Sequence, residues 1–187
     1  MAMTFFTRVW RRMTKESPYA APAREVYLAV VAQARQPVFY ASLGVPDTID
    51  GRFDMIALYA ILLVRRIKGR GKVSDQFGRE FMSYLFDDMD RNLREMGTGD
   101  MRVGKKIKEM AEAFYGRARA YNAALDTGAP RLEDVLKRNI YFEVGEDHGA
   151  AQSLAEAVQR HADDLETQEL ADILAGTVHF EPLPGTA

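Results

Sequence analysis

The spacing of apolar residues along the chain predicts helices rather than strands. From residue 77 to residue 96, apolar side chains recur at steps of three and four, and similar spacing runs from residue 107 to residue 125. Apolar residues at i, i+3, i+4 and i+7 lie on one face of a helix. The sequence therefore predicts two long helices, over about 75–97 and 100–125, joined by a tight corner at MGTGD.

Shorter segments with helical spacing extend the prediction to an all-α fold. The segment 51–68 is apolar on nearly every side, which is typical of a central, buried helix. We predict a single helical domain of roughly seven or eight helices, with a basic amphipathic segment at 1–18 and an extended tail at 179–187. The remaining helices are expected over 4–14, 24–36, 130–142, 148–163 and 167–175.

Turn and cap signals mark the predicted helix ends. ESPYAAPA, residues 16–23, contains two prolines and predicts a linker. The helix that follows this linker is expected to end at Pro37. The segment 36–51 predicts an irregular, aromatic-rich connection in which Asp47 or Thr48 caps the central helix. Gly97 is predicted to follow a helix end with positive φ, and Thr98 or Asp100 to cap the next helix.

The net charge of −2 conceals an asymmetry along the chain. Residues 1–130 contain 21 Lys/Arg and 15 Asp/Glu, whereas residues 131–187 contain 4 and 12, so the two parts carry +6 and −8. This difference indicates distinct partners for two surfaces, or contact between those surfaces in self-association; two simply solvated faces are the alternative. There is no cysteine, which excludes disulfides and thiolate chemistry.

The N-terminal segment is the sequence's candidate for membrane contact. Its apolar residues fall on one side of a short helix and its arginines largely on the other, a pattern typical of helices that lie in the membrane interface. Docking of this helix on its own domain or on a partner subunit is the alternative. The longest apolar run, MIALYAILLV, is too short to cross a bilayer, and no secretory signal pattern is present. We expect a cytoplasmic protein, peripheral on the inner membrane through Phe5, Phe6, Arg8, Trp10, Arg11 and Arg12.

Motifs for catalysis and cofactor binding are incomplete. Gly99 and Gly104-Lys105 have the spacing of a phosphate-binding loop, but Lys106 replaces the Mg²⁺-binding hydroxyl and a helix replaces the leading strand. DDMDRN, residues 87–92, begins like a calcium loop and lacks its glycine and its final glutamate. No serine lies in a nucleophile motif, and His148, His161 and His179 are expected to be surface or partly packed residues. We predict a binding protein that uses no catalytic residue, metal or cofactor.

Three motifs taken together identify a family. GVPDT–DGRFD, DMDRNLREMGTGD and AEAFYGRA lie within a segment from about Tyr27 to Leu125 that closely resembles the ubiquinol–cytochrome c chaperone family, in its bacterial branch. The resemblance implies an all-helical assembly factor for the cytochrome bc1 complex that binds newly made cytochrome b. Candidate partner-binding positions carried over from the motifs are Gly44, Val45, Pro46, Asp47, Thr48, Gly51, Arg52, Arg94, Glu95, Gly97, Gly99 and Asp100.

The resemblance also implies contacts with the ribosome and with a small partner protein, as in mitochondrial relatives, and it implies no DNA partner. An adaptable apolar surface suits an unassembled membrane-protein client, and the nine methionines fit such a surface, although ordinary core packing is their alternative. The acidic C-terminal third suits the basic flanks of such a client. The rival hypothesis is an adaptor without a dedicated client, whose basic face binds ribosomal RNA or anionic membrane. Its residues are Arg65 to Lys72, Lys105, Lys106, Lys108 and the N-terminal arginines.

Overall fold

The computed structural model describes residues 17–142, 144 and 149–183, except for the side chains of residues 100 and 101. The predicted helix at 4–14 and its membrane-contact residues lie outside these ranges. Across the described ranges the chain is all-α, as predicted. The eight helices within the described ranges are α1 (Ala20–Ala34), α2 (Pro37–Ala41), α3 (Ile49–Ile67), α4 (Lys72–Glu95), α5 (Asp100–Thr127), α6 (Leu132–Asn139), α7 (Ala150–Thr167) and α8 (Leu170–Leu174).

Helix α3 is the centre of the fold, which confirms the prediction from its nearly continuous apolar sequence. Residues 54–63 are all buried, and α1, α4, α5 and α7 pack around the helix. Helix α1 also packs along α4, where the Tyr27 ring contacts Phe81 and Tyr84. Helices α5, α6 and α7 continue the layer on the other side, with α6 in contact with both of its neighbours.

Two predicted connections are helical instead. Helix α1 begins at Ala20, inside the predicted linker, because Pro22 occupies the first turn, where its missing N–H has no intrahelical partner to lose. Pro37 does follow the end of α1 as predicted, but it also begins the short helix α2 within the segment expected to be irregular. Pro at a first helical position is favoured because its φ is already helical.

The C-terminal segment is extended and packed. No helix follows Gly176 as far as Leu183, and the side chains of Val178 and Leu183 are buried. The Phe180 ring lies edge-on to Tyr59 of α3 at 5.3 Å between centroids. The last described residues thus complete the core around α3.

Candidate functional site

The first motif, residues 44–52, forms the turn that leads into α3. Val45 donates its N–H to the Phe39 carbonyl at 3.0 Å and is buried. Thr48 is the N-cap of α3, as predicted, and its hydroxyl accepts the Gly51 N–H at 3.1 Å. A Cβ on Gly51 would lie 2.1 Å from the Pro46 carbonyl oxygen, so only glycine lets the chain pass this closely.

The outer side of this turn carries charged and apolar groups. Arg52 donates to the Asp47 carboxylate at 2.6 Å and lies over the Tyr40 ring at 6.0 Å. The Arg52 hydrogen bond holds the pKa of Asp47 below its ordinary value. Ile49, between these two residues, is 62% exposed. The motif therefore combines a fixed backbone with an exposed mixed surface.

The second motif, residues 94–100, forms the corner between α4 and α5. Gly97 has φ +78° and donates its N–H to the Arg94 carbonyl, while Thr98 donates to the Leu93 carbonyl at 3.0 Å. These two bonds are the Schellman helix end, so the predicted positive φ at Gly97 is confirmed. The predicted cap of the next helix is wrong: Gly99, not Thr98 or Asp100, is the N-cap of α5.

The two motifs lie at separate places on the molecule. Arg117 of α5 forms an ion pair with Asp54, two residues beyond Arg52 on α3. Gly99 lies eighteen residues before Arg117, about 27 Å along the helix at 1.5 Å per residue. The corner between α4 and α5 thus lies beyond the N-terminal end of α3. The twelve candidate residues therefore do not line one pocket.

A buried ion pair between two of the three motifs links α3 to α5. The Arg117 guanidinium donates to the Asp54 carboxylate at 2.8 Å, and the two side chains are 20% and 6% exposed. Burial outweighs the attraction of Arg117 and raises the pKa of Asp54 to about 6. Asp54 next to the apolar run 55–64 and Arg117 within AEAFYGRA were sequence signals for this pair, but nothing in the sequence linked one residue to the other.

Two buried polar side-chain atoms on α5, the helix of Arg117, are poorly satisfied by hydrogen bonds. The Tyr121 hydroxyl and the Asn122 side-chain oxygen are buried with no well-formed hydrogen bond to any described residue. The Tyr121 hydroxyl lies beside the Asn139 side chain, and burial raises its pKa. Buried polar atoms without partners reduce stability, so this part of α5 is less well satisfied than the core around α3.

A hydrogen-bonded chain ties the C-terminal segment to α3. His161 of α7 is 1% exposed, so the prediction of a surface or partly packed residue is wrong; His179 is exposed as expected, and His148 lies outside the described residues. The His161 Nε2–H donates to the Glu181 carbonyl at 2.9 Å, since a carbonyl can only accept. Its Nδ1 then accepts the Tyr59 hydroxyl at 2.8 Å. Burial lowers the pKa of His161, which favours this neutral form.

The basic cluster at the end of α3 is largely occupied by contacts within the chain. Arg66 donates to the Leu165 and Gln168 carbonyls at 2.7 Å each and so satisfies the end of α7. Arg65 pairs with Asp126 and Arg70 with Glu166. Three of the five cations in this cluster therefore have a structural role, which removes most of it from the basic face of the adaptor hypothesis.

The described ranges contain no metal-binding cluster and no membrane-spanning helix. No three His, Asp or Glu side chains there come together as a group that could hold a metal ion. No helix in those ranges is long and apolar enough to cross a membrane. A shallow groove of about 340 Å³ between α5, α6 and α7 is lined mainly by polar side chains and includes none of the twelve motif residues.

Comparison with known proteins gives consistent relatives. The chain is 23% identical over 162 residues to ubiquinol-cytochrome-c reductase complex assembly factor 1 of Xenopus laevis, covering 86% of this chain and 81% of that protein. The proteins of the same name from Mus musculus and Homo sapiens are also 23% identical over 86% of this chain. The chain spans about half the length of these two, 55% and 54%.

A solved structure is similar over nearly the whole chain. The crystal structure of the Cbp3 homolog from Brucella abortus has a TM-score of 0.80 and 34% sequence identity, with 97% of each chain covered. The family model described as ubiquinol-cytochrome C chaperone matches residues 41–180, which include both motifs, the Asp54–Arg117 ion pair and His161. The chain belongs to the ubiquinol-cytochrome c chaperone family.

Proposed function

We propose that this chain is an assembly chaperone that binds newly made cytochrome b and promotes assembly of the ubiquinol–cytochrome c reductase (bc1) complex. The observation that carries the proposal is the family match over residues 41–180, supported by relatives named as assembly factors of that complex. The chain acts by binding, without turnover or a cofactor. It works at the cytoplasmic face of the inner membrane, where such a client is inserted.

An exposed apolar surface supports a client-binding role. We use the name apolar rim for Ile49, Tyr115 and Phe142, which are 62%, 59% and 65% exposed. Ile49 lies within the first motif. Phe142 follows Tyr141, whose hydroxyl donates to the Leu43 carbonyl at the start of that motif. Tyr115 lies two residues before Arg117 on α5. Arg117 pairs with Asp54 of α3, the helix that begins in the first motif.

The chemistry of the apolar rim fits an unassembled membrane segment. Singly exposed apolar side chains are common on soluble domains, whereas contiguous apolar patches mark interaction sites. The adjacent Asp47–Arg52 pair is more than half exposed, so it contributes little to stability and can exchange its partners. An apolar surface beside charges of both signs suits an apolar segment with charged flanks.

The motif residues divide into two roles in this proposal. Gly44, Val45, Gly51 and Gly97 shape the backbone, and exposed Asp47, Thr48, Arg52, Arg94 and Glu95 contact the partner. Pro46 presents the carbonyl that Gly51 approaches, and Gly99 begins α5 ahead of Asp100. Contacts with the ribosome and with a small partner protein remain predictions from the family resemblance.

Co-purification with a matched pair of variants tests the proposal. Ile49→Asp places a charge in the apolar rim, whereas Val73→Asp makes a similar change at a 47% exposed site at the start of α4. We expect cytochrome b to co-purify with the tagged wild type and with Val73→Asp. Recovery with Ile49→Asp should fall about tenfold or more, as for loss of an interface anchor. If the wild type enriches no cytochrome b, the proposed function is wrong.

If all three proteins recover cytochrome b equally, the client binds elsewhere on the chain and the apolar rim is excluded. Thermal unfolding of each variant is the control for folding. Both substituted side chains are exposed, so both variants should unfold within a few degrees of the wild type.

A further inference from the structure

The end of the α4–α5 hairpin carries a cluster of cations that the fold does not explain. We use the name basic tip for Arg102, Lys105, Lys106 and Lys108 together with Met96. Arg102 and Lys106 are exposed and have no ion-pair partner among the described side chains. Lys105 and Lys108 lie 3.7 Å from Glu109 and Glu112, and both lysines are nearly 80% exposed.

These cations lie at the unfavourable end of a helix. Arg102 lies in the first turn of α5, where the helix dipole is positive and repels a cation, and the three lysines follow within the next two turns. Asp100 is the only acidic residue between 96 and 108, so the segment has a net charge of +3. The cations near the end of α3 differ, because most of those are bonded to carbonyls or carboxylates of the same chain.

A glycine in the same segment also works against helix stability. Gly104 lies inside α5, and a Cβ there would meet nothing within 4 Å, so packing does not require glycine. Glycine inside a helix reduces stability relative to alanine by about 0.5–1 kcal/mol. Residues that reduce helix stability without improving packing are expected at functional sites.

From this cluster we propose that the basic tip docks on an anionic membrane surface, with its cations on lipid phosphates and Met96 at the headgroup level. Met96 is 54% exposed at the corner, beside the cations. The corner is separate from the main core cluster, because the buried residues Leu93 and Val103 beside it are not part of that cluster, whereas Ile107 farther along α5 packs against it. The exposed side chains of Met96 and Arg102 at the corner are therefore accessible to a flat anionic surface.

A lipid surface fits the basic tip better than RNA does. Residues 91–108 contain no aromatic side chain on which a base could stack. Glu109 and Glu112 interrupt the positive charge immediately beyond Lys108, so the helix offers no long basic strip along a phosphate backbone. A bilayer needs only the end of the hairpin, where the cations and the exposed methionine lie together.

Vesicle binding by the full chain tests the proposal. Arg102→Gln/Lys106→Gln removes two cations from the basic tip. Lys68→Gln/Lys72→Gln is the control, because it removes two exposed cations at the other end of α4, about 36 Å away along the helix. All proteins keep residues 1–16, so any contribution of that segment is the same in each.

Each cation near an anionic surface contributes about 1 kcal/mol, or about fivefold in the binding constant. We therefore expect the tip variant to bind phosphatidylglycerol-containing vesicles about 30-fold more weakly than the wild type, and the control variant to bind within about twofold of it. Phosphatidylcholine vesicles should not distinguish the three proteins. Equal binding by the wild type and the tip variant, or an equal loss in the control, would overturn the proposal.

Binding of a labelled single-stranded RNA tests whether the basic tip binds RNA phosphates instead of lipid phosphates. If the tip variant loses RNA binding while it retains vesicle binding, the tip is an RNA site and the membrane proposal is wrong. Unfolding does not confuse the result, because removal of cations from the start of α5 should leave the helix equally or more stable. Client co-purification is measured separately, so failure of this proposal leaves the proposed function standing.

Discussion

The buried carboxylate of Asp54 makes a prediction about how stability depends on pH. Its pKa is about 6 in the folded protein against 3.8 for an ordinary carboxyl group. Between these values the folded chain binds a proton that the unfolded chain has lost. The contribution of Asp54 to the free energy of unfolding therefore falls as pH rises through this range, and it levels off above pH 6.

The size of the effect follows from the shift. A change of one pKa unit corresponds to about 1.4 kcal/mol, so the Asp54 contribution to stability falls by about 2 kcal/mol between pH 4.5 and pH 7. Asp54→Asn removes the titration and leaves Arg117 with an amide oxygen as acceptor. The wild type should thus lose about 2 kcal/mol relative to this variant over the same pH range.

Urea unfolding at a series of pH values measures the difference. Asp47→Asn is the matched control, because Asp47 is exposed and its pKa is lowered, so its titration lies below pH 4.5. The Asp47→Asn curve should run parallel to the wild-type curve from pH 4.5 to pH 7. If Asp54→Asn also runs parallel to the wild type, burial does not outweigh the Arg117 ion pair and the reasoning is wrong.

The remaining predictions concern backbone contact and the C-terminal segment. Gly51→Ala should destabilise the chain by about 1–3 kcal/mol because its Cβ meets the Pro46 carbonyl, whereas Gly104→Ala should stabilise it by about 0.5–1 kcal/mol. Denaturant unfolding of both variants checks this, and a change of the same sign in both would refute it. His161→Phe removes the acceptor of Tyr59 and the donor to Glu181, so it should cost about 1–3 kcal/mol at pH 7.5. The lowered pKa of His161 means that wild-type stability is lost as pH falls below 6.5, and this loss should be smaller in the variant. If the wild type and His161→Phe lose the same free energy of unfolding as pH falls below 6.5, this prediction is wrong.

Helical periodicity predicted most of the fold because the apolar residues that recur every three or four positions along the long helices are the ones that the fold buries. The apolar run at 55–64 is the buried centre of α3, and Gly97 has the positive φ that a helix end requires. The start of α1 was missed because proline is a breaker inside a helix but is tolerated in its first turn. Composition alone does not distinguish the two positions.

The candidate site was predictable only in part, because tertiary pairing leaves little trace in one sequence. The motifs located both the turn before α3 and the α4–α5 corner, but they did not show that the two lie far apart. His161 and Arg66 look like surface residues until their partners, a hundred residues away in the chain, are brought beside them. The exposure of Ile49, Tyr115 and Phe142 also becomes visible only in the fold, because the sequence does not show which apolar side chains remain outside the core.

The central claim is that this chain is needed to assemble the bc1 complex from newly made cytochrome b. The most direct test is the amount of assembled bc1 complex and of haem-bearing cytochrome b in membranes from cells lacking the chain, compared with cells in which it is restored. The account predicts a several-fold loss of both, with other respiratory complexes unchanged, and full recovery on restoration. Normal levels of bc1 complex in cells lacking the chain would contradict the claim.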